Sequence, residues 1–170
     1  GVLEEIVTED ITLYDLFVKH NYAPINMDSY RSVNENYTDS YGVTTLQNKV
    51  YYSANKAMYV EGETSNQIIS SNTYTGKYYI ASKIKCTRYE NGYLGIVFGT
   101  DSNEYANTTV QEVTNDFVTK SAICNLSNEN IFIGSCISAN LDGYIDDTVV
   151  ADLSIFTSTP SIEKLDELYE

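Results

Sequence analysis

Gly143-Tyr-Ile-Asp-Asp-Thr-Val-Val-Ala-Asp-Leu-Ser-Ile-Phe156 carries the clearest structural pattern of the chain. Residues 144–153 alternate between apolar and polar side chains, which is typical of a strand with one buried face. The pattern breaks at Thr157-Ser-Thr-Pro160, and Ile162, Leu165 and Leu168 then recur at helical spacing. We therefore predict a strand over 143–152, followed by a short amphipathic helix over 161–169.

Upstream of this strand, the chain reads as a succession of short strands separated by turn residues. Glu90-Asn91-Gly92 lies between two strong strand patterns and predicts a hairpin. Asn140-Leu-Asp-Gly143 predicts a further break. About ten strands at this spacing, without intervening helices, indicate an antiparallel sandwich or barrel. The predicted strands are 43–47, 49–53, 56–61, 66–70, 77–88, 93–99, 107–113, 115–124, 130–138 and 143–152.

A length of 170 residues fits one domain with a substantial core. Residues 1–13 are acidic with scattered apolar positions, and we interpret them as an N-terminal connector. Residues 14–170 form the predicted sandwich domain, including the helix at 161–169. One short strand is expected around Leu16–Val18, followed by loop up to residue 42.

The charge of the chain excludes several classes of partner. It has 24 acidic and 10 basic residues, for a net charge of −14. A nucleic-acid-binding protein needs a basic face, and an anionic membrane surface also attracts basic residues. No apolar run approaches the roughly 20 residues that span a bilayer. No signal-peptide pattern is present at the start. We therefore expect neither nucleic-acid binding nor membrane insertion.

The sequence gives no pattern of catalytic or zinc-binding residues. His20 is the only histidine, and no serine or cysteine motif accompanies it. Cys86, Cys124 and Cys136 lie inside apolar strand patterns, which predicts small buried side chains without a disulfide. A Cys124–Cys136 bridge between adjacent strands is the alternative. We predict that the protein is not an enzyme.

Several segments together resemble a known family. They are Asp15-Leu-Phe-Val-Lys-His-Asn-Tyr22, Tyr78-Tyr-Ile-Ala-Ser-Lys-Ile-Lys-Cys86, Phe98-Gly99, Asn130-Ile-Phe-Ile-Gly134 and Gly143-Tyr-Ile-Asp-Asp147. With the final strand, the proline and the acidic helix, they resemble the carbohydrate-binding-module-like jelly-roll domains of bacteriophage and prophage tail proteins. The resemblance implies an all-β, antiparallel β-sandwich of jelly-roll type with a short C-terminal helix.

The same resemblance implies a function. Such a domain would be a non-catalytic part of a phage tail, fibre or baseplate that binds host cell-surface carbohydrate outside the host cell. Weak sites would gain avidity through multivalent display, for example in a trimer. One alternative is a structural virion or head-fibre decoration domain that contacts other virion subunits. Another is a carbohydrate-binding module of a secreted glycosidase.

Tyrosines are the candidate glycan-binding residues, because the chain has 16 of them and no tryptophan. Sugar rings stack on aromatic faces, and the tyrosine hydroxyl adds a hydrogen-bonding group. In each Tyr-Tyr doublet, we expect one ring to face inward and the other outward. Alternatively, the outward rings form cross-strand pairs or contact a neighbouring subunit. The candidates are Tyr51, Tyr52, Tyr59, Tyr78, Tyr79, Tyr93 and Tyr105.

The resemblance also implies a structural Ca²⁺ near the start of the domain. Ca²⁺ takes roughly six to eight oxygen ligands. Asp147, Asp15 and Asn21, with a backbone carbonyl, are the candidate ligands. In the alternative interpretation, the Asp146-Asp147 pair consists of ordinary carboxylates at a turn or strand edge.

Overall fold

Antiparallel strands make up most of the part of the chain that the structure describes. This computed structural model describes residues 30–32, 44–45, 50–52, 58–70, 73–98, 105–156 and 158–169. The predictions for residues 1–13, for the strand at Leu16–Val18 and for His20 lie outside these ranges. The elements are β1 (Tyr30–Ser32), β2 (Thr44–Thr45), β3 (Val50–Tyr52), β4 (Met58–Val60), β5 (Gln67–Ser70), β6 (Tyr74–Phe98), β7 (Thr109–Val110), β8 (Val118–Glu129), β9 (Ile131–Asp152) and α1 (Ile162–Tyr169).

The two long strands, β6 and β9, run side by side through the whole domain. Their antiparallel register extends from Tyr78 opposite Asp152 to Phe98 opposite Ile131. The first half of β6 also pairs with β8, and the second half of β9 pairs with β4, which continues to β3 and β2. The second half of β6 pairs with β7, and the first half of β9 pairs with β5, which in turn pairs with β1. Each long strand therefore belongs to two groups of strands: the first layer contains β7, β5 and β1, and the second layer contains β8, β4, β3 and β2.

These two groups face each other because β6 and β9 fold back on themselves. A straight strand rises about 3.3 Å per residue, which would hold Ile84 and Gly95 more than about 30 Å apart. Instead, a Cβ on Gly95 would lie 2.9 Å from Cδ1 of Ile84, and a Cβ on Gly143 would meet the side chain of Leu94. The register of β6 against β9 shifts between Cys86 and Tyr93, where the strands bend. The result is a two-layered sandwich.

The bend corrects two predictions. Glu90-Asn91-Gly92 is not a hairpin, because β6 continues through it and Asn91 pairs with Asn140 of β9. Gly92 has a positive φ of 96°, which glycine adopts easily because it has no Cβ. Here that conformation occurs at a bend within a strand and not at a hairpin turn. The predicted break at 140–143 likewise lies inside β9. The two segments pair with each other in the β6–β9 register, and the residue pattern of one strand does not show which strand it pairs with.

One apolar core fills the space between the layers. It contains side chains from both halves of β6 and β9, together with residues of β4, β7 and β8. Cys86, Cys124 and Cys136 are buried there as free thiols, so their predicted burial is confirmed. The core residues with no measurable exposure are Val60, Ile80, Ile84, Cys86, Leu94, Ile96, Phe98, Ile131, Ile133 and Ala139.

The C-terminal helix covers part of the outer face of the second layer. Leu165 of α1 packs there with Tyr79, Ala81, Ala151 and other buried residues in a second apolar cluster. The hydroxyl of Tyr79 donates a hydrogen bond of 2.7 Å to Asp166, whose same oxygen accepts a 2.6 Å bond from Ser121. Within the described ranges, no helix is long and apolar enough to cross a membrane.

These features confirm the predicted fold class. The protein is an all-β, antiparallel β-sandwich of jelly-roll type with a short C-terminal helix. The helix spans Ile162–Tyr169, close to the predicted 161–169.

The close packing around Gly95, against β7 in its own layer and against Ile84 of the other layer, can be tested by substitution. Gly95→Ala should lower the free energy of unfolding by about 2 to 4 kcal/mol, because its Cβ would overlap the Thr108 carbonyl and the Ile84 side chain. Gly76→Ala is the matched control: Gly76 also has a positive φ, of 120°, but its nearest atom is 4.0 Å away. Urea unfolding of both variants measures the difference. Equal losses would show that backbone strain, and not layer packing, sets the cost.

The hydrogen bond between Tyr79 and Asp166 should hold α1 on the sheet. Tyr79→Phe keeps the buried ring but removes the donor to a carboxylate, so we expect a loss of about 1 to 3 kcal/mol in unfolding free energy. Tyr89→Phe is the control, since the Tyr89 hydroxyl donates at 3.1 Å to the uncharged Gly92 carbonyl. A loss for Tyr79→Phe no larger than for Tyr89→Phe would contradict this role.

Tyr79 should also make the stability of the protein sensitive to alkaline pH. Burial and the hydrogen bond to Asp166 raise the pKa of Tyr79 above the ordinary tyrosine value. Because an unfolded tyrosine ionises near pH 10, the stabilisation is complete below that pH and is lost as the pH rises above it. Urea unfolding between pH 8 and 11 (a range chosen to bracket the unfolded pKa) should show a shallower decline for Tyr79→Phe than for the wild type. Parallel declines would refute the assignment.

Candidate functional site

Alternation along two neighbouring strands places Tyr59 and Tyr144 on the outer face of the second layer. Met58 and Val60 are buried on the inner side of β4, and Ile145 is buried on the inner side of β9. Tyr59 and Tyr144 occupy the intervening, outward positions and are direct partners in the β4–β9 register. Their ring centroids are 4.9 Å apart, with the planes tilted by 45°.

A third ring continues this arrangement on the β6 side. The centroid of Phe117 lies 6.4 Å from that of Tyr144. Tyr144 and Phe117 are 36% and 42% exposed, which is high for aromatic side chains on a packed domain. We call Tyr59, Tyr144 and Phe117 the aromatic row. On the opposite side, Tyr51 of β3 pairs with Tyr59 in the backbone register.

Thr114 holds the segment that carries Phe117 against the sheet. Its backbone amide donates to the Cys86 carbonyl at 2.9 Å, and its hydroxyl accepts from the Cys86 amide at 3.0 Å. Both bonds fall just before β8 begins at Val118. Phe117 therefore sits on a fixed segment beside β6, although it precedes the strand.

Charged and polar groups line one side of the aromatic row. The Tyr59 hydroxyl donates to Glu61 at 2.8 Å. Arg88 donates to both oxygens of Asp142, at 3.0 and 3.1 Å, and also to Asn140 at 2.8 Å. A bidentate contact of this kind holds both side chains in one geometry. The result is a hydrogen-bonding border beside the exposed rings.

The loop at 61–66 supports this border. The Gly62 amide donates to Asp142 at 3.0 Å, and the Gly62 carbonyl accepts from Arg88 at 3.3 Å. Asn66, which is buried, donates from its side-chain amide to the Glu61 and Thr64 carbonyls at 3.0 and 2.8 Å. These bonds position Glu61 next to Tyr59. Burial, and then the hydrogen bond to Glu61, raise the pKa of Tyr59, so its phenol stays protonated.

The other side of the aromatic row is bordered by the end of α1. Lys83 forms a 3.5 Å ion pair with Asp147, and its ammonium lies 5.5 Å from the centroid of the Tyr169 ring. The Tyr169 hydroxyl donates to the Asp147 carbonyl at 2.7 Å. The helix and the rings therefore share one outer face of the sheet, with this polar strip between them.

The Tyr78-Tyr79 doublet has one inward and one outward ring, but both rings are buried. Tyr78 is 8% exposed and packs in the main core, as expected for an inward ring. Tyr79 faces outward but has 0% exposure, because α1 covers it. The prediction that the two rings face opposite ways is therefore confirmed, but neither ring offers a free stacking face.

The other tyrosine candidates are scattered. Tyr93 is half-buried against the main core, in the second half of β6. Tyr51 and Tyr52 lie in β3, and Tyr105 begins a 3₁₀ turn, but their side chains are outside the described part of the structure. Of the seven candidates, Tyr59 lies in the aromatic row.

Sequence reasoning missed the other two rings of the row. Tyr144 could have been found, because the alternation of residues 144–153 that predicted the strand also places Tyr144 opposite to the buried Ile145. Phe117 could not, since its place beside Tyr144 depends on the pairing of β6 with β9 and on the contact of Thr114 with Cys86.

The described residues do not assemble a Ca²⁺ site. Asp147 has a side chain that is 58% exposed and paired with the Lys83 ammonium. Nowhere in the described ranges do three or more His, Cys, Asp or Glu side chains group so that they could hold a metal ion. Asp15 and Asn21 lie outside these ranges. Ca²⁺ binding stays a prediction.

Comparisons with known proteins give coarse structural similarity. No protein-family model matches the sequence, and comparison with curated protein sequences gives no match. A structure described as family 16 carbohydrate binding module-2 is 18% identical, with a TM-score of 0.38, covering 72% of this chain and 84% of that one. The CBM22-1 and GH10 modules of the N-terminal endo-1,4-β-D-xylanase 10B from Clostridium thermocellum, complexed with xylohexaose, are 13% identical, with a TM-score of 0.43. This match covers 82% of our chain and 29% of the xylanase chain.

Proposed function

We propose that the aromatic row binds carbohydrate and that the domain is a non-catalytic recognition module. The observation that carries this proposal is the exposure of Tyr144 and Phe117, at 36% and 42%, in one row with Tyr59. Exposed aromatic rings next to fixed polar groups combine a stacking surface with hydrogen-bonding partners. Sugars require both, because they have apolar C–H faces and hydroxyl groups at their edges.

The hydrogen bonds and ion pairs around the aromatic row favour binding because they order its side chains before a ligand arrives. Tyr59 and Tyr144 stand on paired strands, and Phe117 follows the Thr114 anchor. Glu61 and Asp142 are fixed by Tyr59 and Arg88. Side chains that are already ordered lose little conformational entropy when a ligand binds. The glycan would stack across the rings, while its hydroxyls donate to the carboxylates at the border.

The finer part of the proposal concerns the setting. The resemblance of the C-terminal segment supports a phage tail, fibre or baseplate domain that binds polysaccharide on the host surface, outside the host cell. Each site would bind weakly, and display in a trimer or larger assembly would supply avidity. A structural Ca²⁺ held by Asp147, Asp15 and Asn21 belongs to this proposal, and it would compete with the Lys83–Asp147 ion pair. A module of a secreted glycosidase would use the same face.

A second candidate function is assembly. Phe117 and Tyr144 are exposed aromatic side chains on neighbouring parts of the same layer, and Val113 precedes Phe117 in the chain at 54% exposure. Exposed apolar patches also occur where subunits meet. In a structural virion or head-fibre decoration domain, this face would contact another virion subunit in place of a sugar.

Truncating either exposed ring should weaken glycan binding without unfolding the domain. We expect Tyr144→Ala and Phe117→Ala each to weaken binding about tenfold, because each stacking ring contributes about 1 to 1.5 kcal/mol. Ile137→Ala is the control, since Ile137 is also apolar and 48% exposed but lies at the bend of β9. Binding is measured on intact host bacteria and their purified polysaccharides, with the domain displayed on beads, in Ca²⁺ and in EDTA.

Two results would count against this function. If the wild-type domain on beads binds no cell or polysaccharide, recognition of carbohydrate is refuted. If Ile137→Ala weakens binding as much as the ring variants do, the aromatic row is not the site. A change in oligomeric state on Tyr144→Ala or Phe117→Ala, measured by light scattering, would then favour assembly.

A further inference from the structure

Lys85 lies on the same outer face as the aromatic row. It is the direct partner of Tyr144 in the β6–β9 register. Its neighbours Ile84 and Cys86 are fully buried on the inner side, which places Lys85 outward together with Tyr144. The lysine is half-buried, and its backbone position is fixed by the pairing of the two longest strands.

Two other cations among the described residues of this layer, Arg88 and Lys83, already have partners. Arg88 binds both oxygens of Asp142 at 3.0 and 3.1 Å. Lys83 pairs with Asp147 at 3.5 Å and approaches the Tyr169 ring. Lys85 makes no ion pair or side-chain hydrogen bond within the described residues.

The carboxylates near the row also have assigned contacts. The Glu61 carboxylate accepts a hydrogen bond from the Tyr59 hydroxyl. Tyr59 lies on β4, which is one strand further from Lys85 than β9, the strand of Tyr144. Asp146 faces Lys83 in the strand register and accepts a 2.8 Å bond from the Asp147 amide. Lys85 therefore brings an ammonium with unused donors to the middle of the aromatic row, beside Tyr144, while the Tyr59 end has a carboxylate.

A lysine ammonium has three hydrogen-bond donors, and those of Lys85 have no protein partner among the described residues. A carboxylate or phosphate of a ligand would satisfy them with a charge-assisted hydrogen bond, about twice as strong as a neutral one. The net charge of −14 repels anions at a distance. Salt screens that repulsion beyond about 8 Å under physiological conditions, so the charges beside the row dominate in contact.

We propose that the aromatic row is specific for an acidic glycan, with a sugar stacked on Tyr144 and Phe117 and its anionic group bound by the Lys85 ammonium. This inference rests on the proposed function, and it names the substrate class of the same site. The anionic group is the carboxylate of a uronic-acid type sugar or the phosphate of a phosphodiester-linked glycan.

The test compares each acidic glycan with its neutral form. The probes are a polyuronate oligosaccharide before and after reduction of its carboxyl groups to alcohols, and a phosphodiester-linked glycan before and after removal of phosphate. We expect the wild-type domain to bind one of the acidic forms about tenfold more tightly than its neutral counterpart. The pair that shows the difference identifies the anion.

Variants of Lys85 connect this preference to the proposed contact. Lys85→Gln should remove the tenfold preference, and Lys85→Arg should retain it, because arginine keeps the charge. Lys77→Gln is the matched control: Lys77 is an exposed lysine of β6 that pairs with Asn125 of β8. It should leave the preference unchanged. Isothermal titration calorimetry supplies the dissociation constants, and circular dichroism confirms that each variant is folded.

The outcomes separate this inference from the proposed function. Equal binding of acidic and neutral forms, or a preference that survives Lys85→Gln, overturns the inference while glycan binding stands. Binding of none of the four probes or of the host polysaccharides overturns both. Loss of the preference in Lys77→Gln as well would show a general effect of charge and would also overturn the role of Lys85.

Discussion

The folding of the β6–β9 pair onto itself is the constraint on which the rest of the structure depends. These two strands remain hydrogen-bonded from Tyr78–Asp152 to Phe98–Ile131, so their backbone groups are satisfied in both layers. The layers can meet closely because glycine occupies the contact points at Gly95 and Gly143. Without this approach, the apolar faces of the two halves could not bury each other, and the common core would be lost.

The same pairing produces the site through simple alternation. Residues of β6 and β9 that point inward form the core, and those between them form the outer face of the second layer. The helix α1 covers one part of that face, over Tyr79, and leaves Tyr144 exposed further along the strands. Tyr79 and Tyr144 point to the same side of the sheet, and Tyr79 is buried because α1 covers it.

Ion pairs determine which charged groups beside the aromatic row remain available to a ligand. Arg88 neutralises Asp142, and Lys83 neutralises Asp147, so their charges are directed at each other and hold the border of the aromatic row in place. The strongly acidic composition of the chain describes the site poorly. Contact with a ligand depends on the groups next to the rings, and Lys85 is the direct register partner of Tyr144.

The sequence by itself determined the all-β class, the position of the last strand and helix, the buried cysteines and the outward position of Tyr59, because these follow from local periodicity. It could not distinguish the continuous strands from hairpins at Asn91 and Asn140, since both arrangements use the same residues and differ only in which segments exchange hydrogen bonds. Only the tertiary structure placed Phe117 beside Tyr144 and buried Tyr79 beneath the helix. The physical reason is that the alternation of residues along a strand specifies only which face of the sheet a side chain points to. Whether that side chain is exposed, and which side chains lie next to it, depends on which distant segment of the chain packs on that face.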